Sequence, residues 1–210
     1  MGIRWKTFEM PKRLEVVKES LTPTYGKFIA EPFERGYGTT VGNALRRVLI
    51  SSIEGAAVTN VKIEGLLHEF SGLEGILEDG AQIVLNVKKL VLRYHGKEPK
   101  KIIIDAKKAG EVLARDIQTD ETVDIINPDL HICTLTKEVR FYMEMEVERG
   151  RGYVLAEKNK KEGSPIGVVP VDSLFSPVVK VNFSVEETRV GQITDYDRLI
   201  MEIWTDGRIS

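Results

Sequence analysis

Three short segments carry residue types and spacings that could do chemistry. The first is Gly36-Tyr37-Gly38 ahead of a helical pattern, where backbone amides could cradle a phosphate. A Walker loop closes on Gly-Lys-Ser/Thr, but Thr39-Thr40-Val41 stand here, and a dinucleotide fingerprint needs a third glycine in the place of Val41. The glycines therefore read as a tight turn into the helix, with Thr39 or Thr40 as candidate caps. The second segment is Glu148-Arg149-Gly150-Arg151-Gly152-Tyr153, whose arginines, glycines and aromatic ring could contact nucleic acid. It follows directly on a strand pattern, and a hairpin turn accounts for it. The third is Arg46-Arg47, a charged pair inside an otherwise apolar helix. Successive helical residues point about 100° apart, so one arginine flanks the apolar seam while the other points elsewhere. Arginine's planar fork makes bidentate contacts and tolerates partial desolvation, which suits a protein interface.

The remaining reactive residue types do not converge. His68, His95 and His131 share no ligand spacing, and no HExxH, CxxC, DxDxDG or GxSxG pattern occurs. The acidic run from Asp116 to Asp124 reads as a solvated loop, and Lys158-Asn159-Lys160-Lys161 as a mobile surface loop. Cys133 is the single cysteine, so no intrachain disulfide forms; within LHICTLT it reads as a buried small hydrophobe. A formal net charge of −2 argues against a domain that grips nucleic acid by itself. The opening MGIRWKTFEMPKR has no apolar signal core, and Lys6 stands where a myristoylation motif needs Ser or Thr. No apolar run approaches bilayer length, so the expectation is a cytoplasmic protein with no membrane contact.

The elements that position these residues follow from periodicity. Residues 12–19 and 25–31 read as strands joined at Thr22-Pro23-Thr24, and Glu31-Pro32 as a turn signal. A helix is expected over 38–53, ending near Gly55, with Val41, Ala44, Leu45, Val48, Leu49 and Ser52 on one buried stripe. Residues 57–64 alternate as a strand. Residues 74–88 read as a second helix with Asp79-Gly80 inside it, weakening or bending its first turn. Short strands are expected at 90–94, 101–105, 122–126 and 130–135. The stretch 138–148 has the clearest period of two, with Val139, Phe141, Met143, Met145 and Val147 facing one way. Val179, Val181, Phe183 and Val185 repeat the pattern, and Leu199, Met201 and Ile203 close it. The sum is an α+β chain rich in antiparallel strands.

Seven motifs, in order, resemble the amino-terminal domain of the bacterial RNA polymerase alpha-subunit family. They are ERGYGTTVGNALRRVLISS, LLHEFS, LNVKKL, HICTLT, ERGRGYV, PIGVVPVDSLFSPV and YDRLIMEIWTDG, spanning about residue 12 to residue 210. The resemblance implies a discontinuous dimerisation subdomain, residues 1–54 and 177–210, with a mainly β insert over 55–176. It implies a transcription function as the dimeric assembly scaffold of DNA-directed RNA polymerase, a non-catalytic subunit of a nucleotidyltransferase complex. The homodimer interface would use Tyr37, Val41, Leu45, Val48 and Leu49. By resemblance Arg47 engages the beta subunit, Lys88 is critical to assembly, and Val171 recruits beta-prime. A helix-dipole contact would equally explain Lys88, and core burial Val171. No cofactor is expected in this chain; the magnesium and zinc of the complex would sit in the large subunits. The family continues past TDG with a long helix and a carboxy-terminal DNA-binding domain. The sequence stops at Ser210 without either, so it reads as truncated and its dimer is expected to be weakened. Two rivals remain at this stage. One is a nucleic-acid-binding domain using Arg149, Arg151 and the 158–161 lysines; the other is a small-molecule enzyme in 55–176.

Overall fold

The computed structural model describes residues 9–66, 68–161, 163, 165–190 and 193–209; residues 1–8 of the amino-terminal segment and Ser210 lie outside them. In chain order the elements are β1 (Leu14–Val16), β2 (Tyr25–Glu34), α1 (Tyr37–Ser52), β3 (Glu54–Ile63), α2 (Gly80–Val87), β4 (Leu92–Tyr94), β5 (Lys100–Ala106), β6 (Gly110–Leu113), β7 (Val123–Ile125), β8 (His131–Leu135), β9 (Phe141–Arg151), β10 (Tyr153–Val154), α3 (Ala156–Asn159), β11 (Val168–Pro170), β12 (Ser173–Leu174), β13 (Val178–Val190) and β14 (Ile193–Thr205). The α+β expectation holds. The chain divides into two compact units, Met1–Ile53 with Val178–Ser210, and Glu54–Pro177.

The first unit is an antiparallel sheet in the order β1-β2-β14-β13, with α1 packed on one face. Glycines take the face of α1 that meets the sheet. A Cβ on Gly42 would stand 2.6 Å from Phe183 Cδ2 and 2.8 Å from Leu199 Cδ1, and one on Gly38 would stand 2.9 Å from Asp197 Cβ. Leu49 and Ile53 continue this ridge onto Val178, Val181 and Met201. The apolar stripe marked by periodicity is therefore not the face that meets the sheet. Gly38 and Gly42 are the buried residues of α1, while Ala44, Leu45, Val48 and Ser52 are exposed and Val41 and Leu49 half-buried. The physical reason is backbone approach: a helix turned with its smallest residues to a sheet comes closer than its large side chains would allow.

The start of α1 differs from expectation for a related reason. Gly36, left-handed at φ 80°, is the N-cap and supplies no side chain, and neither Thr39 nor Thr40 caps. The Gly38 N–H instead donates to Asp197 Oδ2 at 3.1 Å. A buried carboxylate from β14 thus satisfies one of the helix's unpaired amides and lies at the positive end of its dipole. Gly55 does not end the helix, because Ile53 is already extended and Gly55 lies within β3. Glu31-Pro32 is not a turn but a cis dipeptide inside β2. Phe33 faces Asp197 and Ala30 faces Leu199, so Glu31 and Pro32 together oppose Arg198 in a bulge, where a missing N–H is tolerated. A second irregularity lies between Val178 and Lys180 on β13; it turns Val179 outward and leaves Val178 buried, against the simple alternation.

The second unit centres on a sheet in the order β11-β3-β9-β5. Phe141, Met143, Met145 and Val147 of β9 are buried with Ile102 and Ile104 of β5 and Val61 and Ile63 of β3. Ile83 and Val87 of α2 close this core. The second helix is shorter than its periodicity implied. Asp79 is the N-cap rather than an interior residue: its carboxylate accepts from the Gln82 amide at 2.7 Å while the Gln82 side chain accepts from the Asp79 amide at 3.3 Å. This reciprocal box starts the helix at Gly80, and Ile76 is left to pair with Leu135 in an isolated bridge. The expected hairpin at 148–153 is also absent. β9 runs on to Arg151, Gly152 turns the chain at φ 65°, and β10 pairs with β12 instead. The 158–161 segment is not a loose loop at its start: α3 ends there, and Asn159 Nδ2 donates to Val171 O at 2.7 Å and Ser173 Oγ at 2.8 Å.

The close approach of α1 gives a direct test. Gly42→Ala is expected to destabilise the chain by about 1–3 kcal/mol, since the added methyl has no room against Phe183 and Leu199. Urea unfolding of the two proteins measures the difference.

Candidate protein-interaction surfaces

Turning its glycines to the sheet leaves α1 with large apolar side chains on the outside. Tyr37, Leu45 and Val48 are exposed, Val48 by 53%; Ile50 is exposed as well, but on the opposite flank of the helix. Val41 is half-buried between Tyr37 and Leu45, and Leu49 leans toward the sheet. Positions 37, 41, 45 and 48 follow the i, i+4, i+8, i+11 spacing of a single helical face. The arginine pair divides as its geometry requires. Arg46 lies with its guanidinium 6.0 Å from the centre of the Phe183 ring and donates to Asn43 Oδ1 at 3.4 Å. Arg47 is exposed, and no ion pair involves it among the described residues. Its backbone carbonyl accepts from Ser51 Oγ at 2.8 Å.

A second surface gathers around Lys88, the C-cap of α2. Its ammonium donates to Asp172 Oδ2 at 2.9 Å and to Tyr153 OH at 3.2 Å, and Tyr153 OH donates to the same Asp172 oxygen at 2.7 Å. The other oxygen, Asp172 Oδ1, accepts from the Ala156 amide at 2.8 Å. Hydrogen bonds from Lys88, Ala156 and Tyr153 pull the Asp172 carboxyl down to about 2, and hydrogen bonds to Asp172 and Tyr153 raise the Lys88 ammonium above its ordinary value. Asp172 and Tyr153 were not singled out as partners of Lys88 from sequence. Each lay inside a quoted motif, VVPVDS and ERGRGYV, but 84 residues separate Lys88 from Asp172 and no local pattern links them. Val171 is 1% exposed, so a partner at this surface meets its neighbours, among them the exposed Leu174.

Several of the residues considered for other chemistry are engaged elsewhere. Arg149 pairs with Glu54 at 2.8 Å, and Lys161 bridges Glu146 at 2.8 Å and Glu148 at 2.9 Å. A depression of about 320 Å³ opens beside Asn60, Lys101, Glu144, Glu146 and Lys161. Its charges are cross-linked, with Asn60 donating to Glu146 at 2.8 Å and Lys101 to Glu144 at 3.3 Å. Within the acidic run, Asp120 pairs with Lys100, Asp124 with His95 at 3.0 Å, and Asp116 accepts from the Leu113 amide at 2.8 Å. His131 meets Glu78 at 2.8 Å. Burial pushes the Cys133 thiol up to about 12. Among the described residues no group of acids, histidines and cysteine could hold a metal ion, and no helix is long and apolar enough to cross a membrane.

Comparison with known proteins now decides the family. Residues 61–176 match the model described as the RNA polymerase Rpb3/RpoA insert domain. The chain belongs to the RNA polymerase alpha-subunit family. It is 59% identical over 192 residues to the DNA-directed RNA polymerase subunit alpha of Moorella thermoacetica, a match covering 91% of this chain and 61% of that protein. Identity is 53% to the subunit of Geobacter metallireducens (98% of this chain, 60% of the relative) and 56% to that of Alkaliphilus oremlandii (96% and 63%). The chain thus spans about three fifths of the length of these alpha subunits. The resemblance carried by the seven ordered motifs holds.

The Lys88–Asp172 pair has a defined pH range. A carboxylate depressed on folding contributes stability above its unfolded value, 3.8, and loses that contribution as pH falls toward about 2. The Asp172 carboxyl carbon, followed by NMR, is expected to titrate near the lower value, and to move toward the ordinary one in Lys88→Met, where the Ala156 and Tyr153 hydrogen bonds remain.

Proposed function

We propose that this chain is the assembly scaffold of a DNA-directed RNA polymerase. Two copies pair through the outer face of α1, using Tyr37, Val41, Leu45 and Val48, within the unit formed by the chain ends; Leu49, expected among them, packs on the sheet instead. The dimer then recruits the large subunits, with Arg47 engaging beta and the Lys88–Val171 region of the inserted unit contributing to beta and beta-prime contacts. Nucleotidyl transfer, with its magnesium, belongs to the large subunits, and this chain works in the cytoplasm with little nucleic-acid affinity of its own.

The observation that carries this reading is the outward apolar face of α1 beside an exposed Arg47 that has no ion pair among the described residues. Core-type side chains on the outside of a helix call for a cover. The magnitudes also bear on dimer strength. Finishing the burial of a half-exposed Tyr37, Leu45 and Val48 on both copies is worth about 1 kcal/mol per side chain, or roughly 6 kcal/mol. Association itself costs about 4–15 kcal/mol, so this face alone supports only a weak dimer and further contacts must add to it. Val171 serves this reading from within the core, by holding the backbone that presents Asp172 and Leu174. The nucleic-acid alternative loses support from the pairing of Arg149 and Lys161 with glutamates.

Two measurements test the proposal. Val48→Glu is expected to shift sedimentation from dimer to monomer while far-UV circular dichroism stays unchanged; an unaltered dimer places the interface elsewhere. Arg47→Ala is expected to abolish co-purification with beta without loss of fold, and Arg47→Lys to restore it only in part, because lysine lacks the bidentate fork.

A further inference from the structure

The cluster around Lys88 is arranged for a different use of a lysine than attracting an acid. Lys88, Tyr153 and Asp172 form a closed ring of three hydrogen bonds, and Ala156 pins the free oxygen of the carboxylate. The ammonium also lies 5.4 Å from the centre of the Tyr153 ring. Lysine and aspartate side chains remain 33% and 31% exposed, so the ring sits at the surface. Two ammonium hydrogens are engaged, and the third has no partner among the described residues. A carboxylate brought to that third hydrogen would lie roughly 5 Å from the Asp172 carboxylate, close enough for repulsion to offset much of the attraction.

We infer that Asp172 and Tyr153 are positioning residues that convert Lys88 from a mobile charge into a fixed hydrogen-bond donor, aimed at a neutral acceptor such as a main-chain carbonyl of a large subunit. This rests on reading Lys88 as a partner contact. Neutralised in place, the lysine loses its flexibility before association, so less side-chain entropy is lost when the partner arrives. The arrangement also discriminates: an uncompensated acid on the partner is disfavoured by Asp172.

The test measures binding of the full 210-residue chain to the purified cognate beta and beta-prime subunits, separately and at low and high salt. Lys88→Ala identifies which subunit the surface meets. For that subunit Asp172→Asn is expected to weaken binding roughly tenfold, and Tyr153→Phe several-fold in the same direction, with the effect of Lys88→Ala unchanged between the two salt conditions. Thermal midpoints of each variant confirm folding, and Tyr153→Phe leaves the Ala156 anchor intact. If the lysine instead attracts an acidic partner, Asp172→Asn tightens binding and the loss in Lys88→Ala shrinks at high salt; either result overturns the inference while leaving Lys88 an interface residue. Weakening by Asp172→Asn but not by Tyr153→Phe would show that the Ala156 anchor matters and the ring does not, which also overturns it. A Lys88→Ala chain that binds both subunits normally removes the underlying reading of this surface, and the inference with it.

Discussion

The distance between α1 and its sheet is the constraint on which the first unit depends. Gly38 and Gly42 let the helix backbone rest directly on Phe183, Val185 and Leu199, and the Asp197 carboxylate receives the helix's second amide. These contacts fix the rotation of α1 about its axis. Once that rotation is set, the large residues of the helix have no sheet to cover and stand outside, with Arg47 among them. A helix rotated to bury Leu45 and Val48 would satisfy its own chain and present glycines instead. The outward apolar face is thus the other side of a packing decision made by the two smallest residues.

The second unit solves its problem by strict alternation. β9 sends its apolar side chains into the core and its glutamates to the opposite face, where Lys101 and Asn60 from neighbouring strands and Lys161 from the segment after α3 receive them. Exposed pairs of this kind add little stability individually. Their effect is to leave the sheet surface with balanced charge, while the strongly tied Lys88–Asp172 pair marks a separate place where polar groups are held in one geometry.

Much of this was legible in the sequence, and the failures share a cause. The alternation in residues 138–148 and the helical extent of 37–52 are local signals, and both read correctly to within a few residues. The family was legible because seven motifs recur in order. The face of α1 that meets its own sheet was missed because hydrophobic periodicity ranks glycine as uninformative, whereas a sheet facing a helix selects for the absence of a side chain. The start of α2 was misplaced because Asp79-Gly80 was weighed as helix interior, although Asp79 and Gln82 together spell a capping pair. Asp197 and Asp172 were missed for a deeper reason: each acts on a residue at least 84 positions away, and nothing local announces the partner.

β13 is the outermost strand of the first unit's sheet, and thirteen residues of open backbone there would ordinarily invite another strand to add itself. The irregularity beside Val179 breaks the even spacing of donors and acceptors near one end, and Lys180, Glu186, Glu187 and Arg189 put charge along the rest. An incoming chain would lose register within a few residues and meet ions rather than a flat margin. Growth of the sheet along this border is therefore opposed by the border itself, and stacking of these molecules through it is disfavoured from the outset.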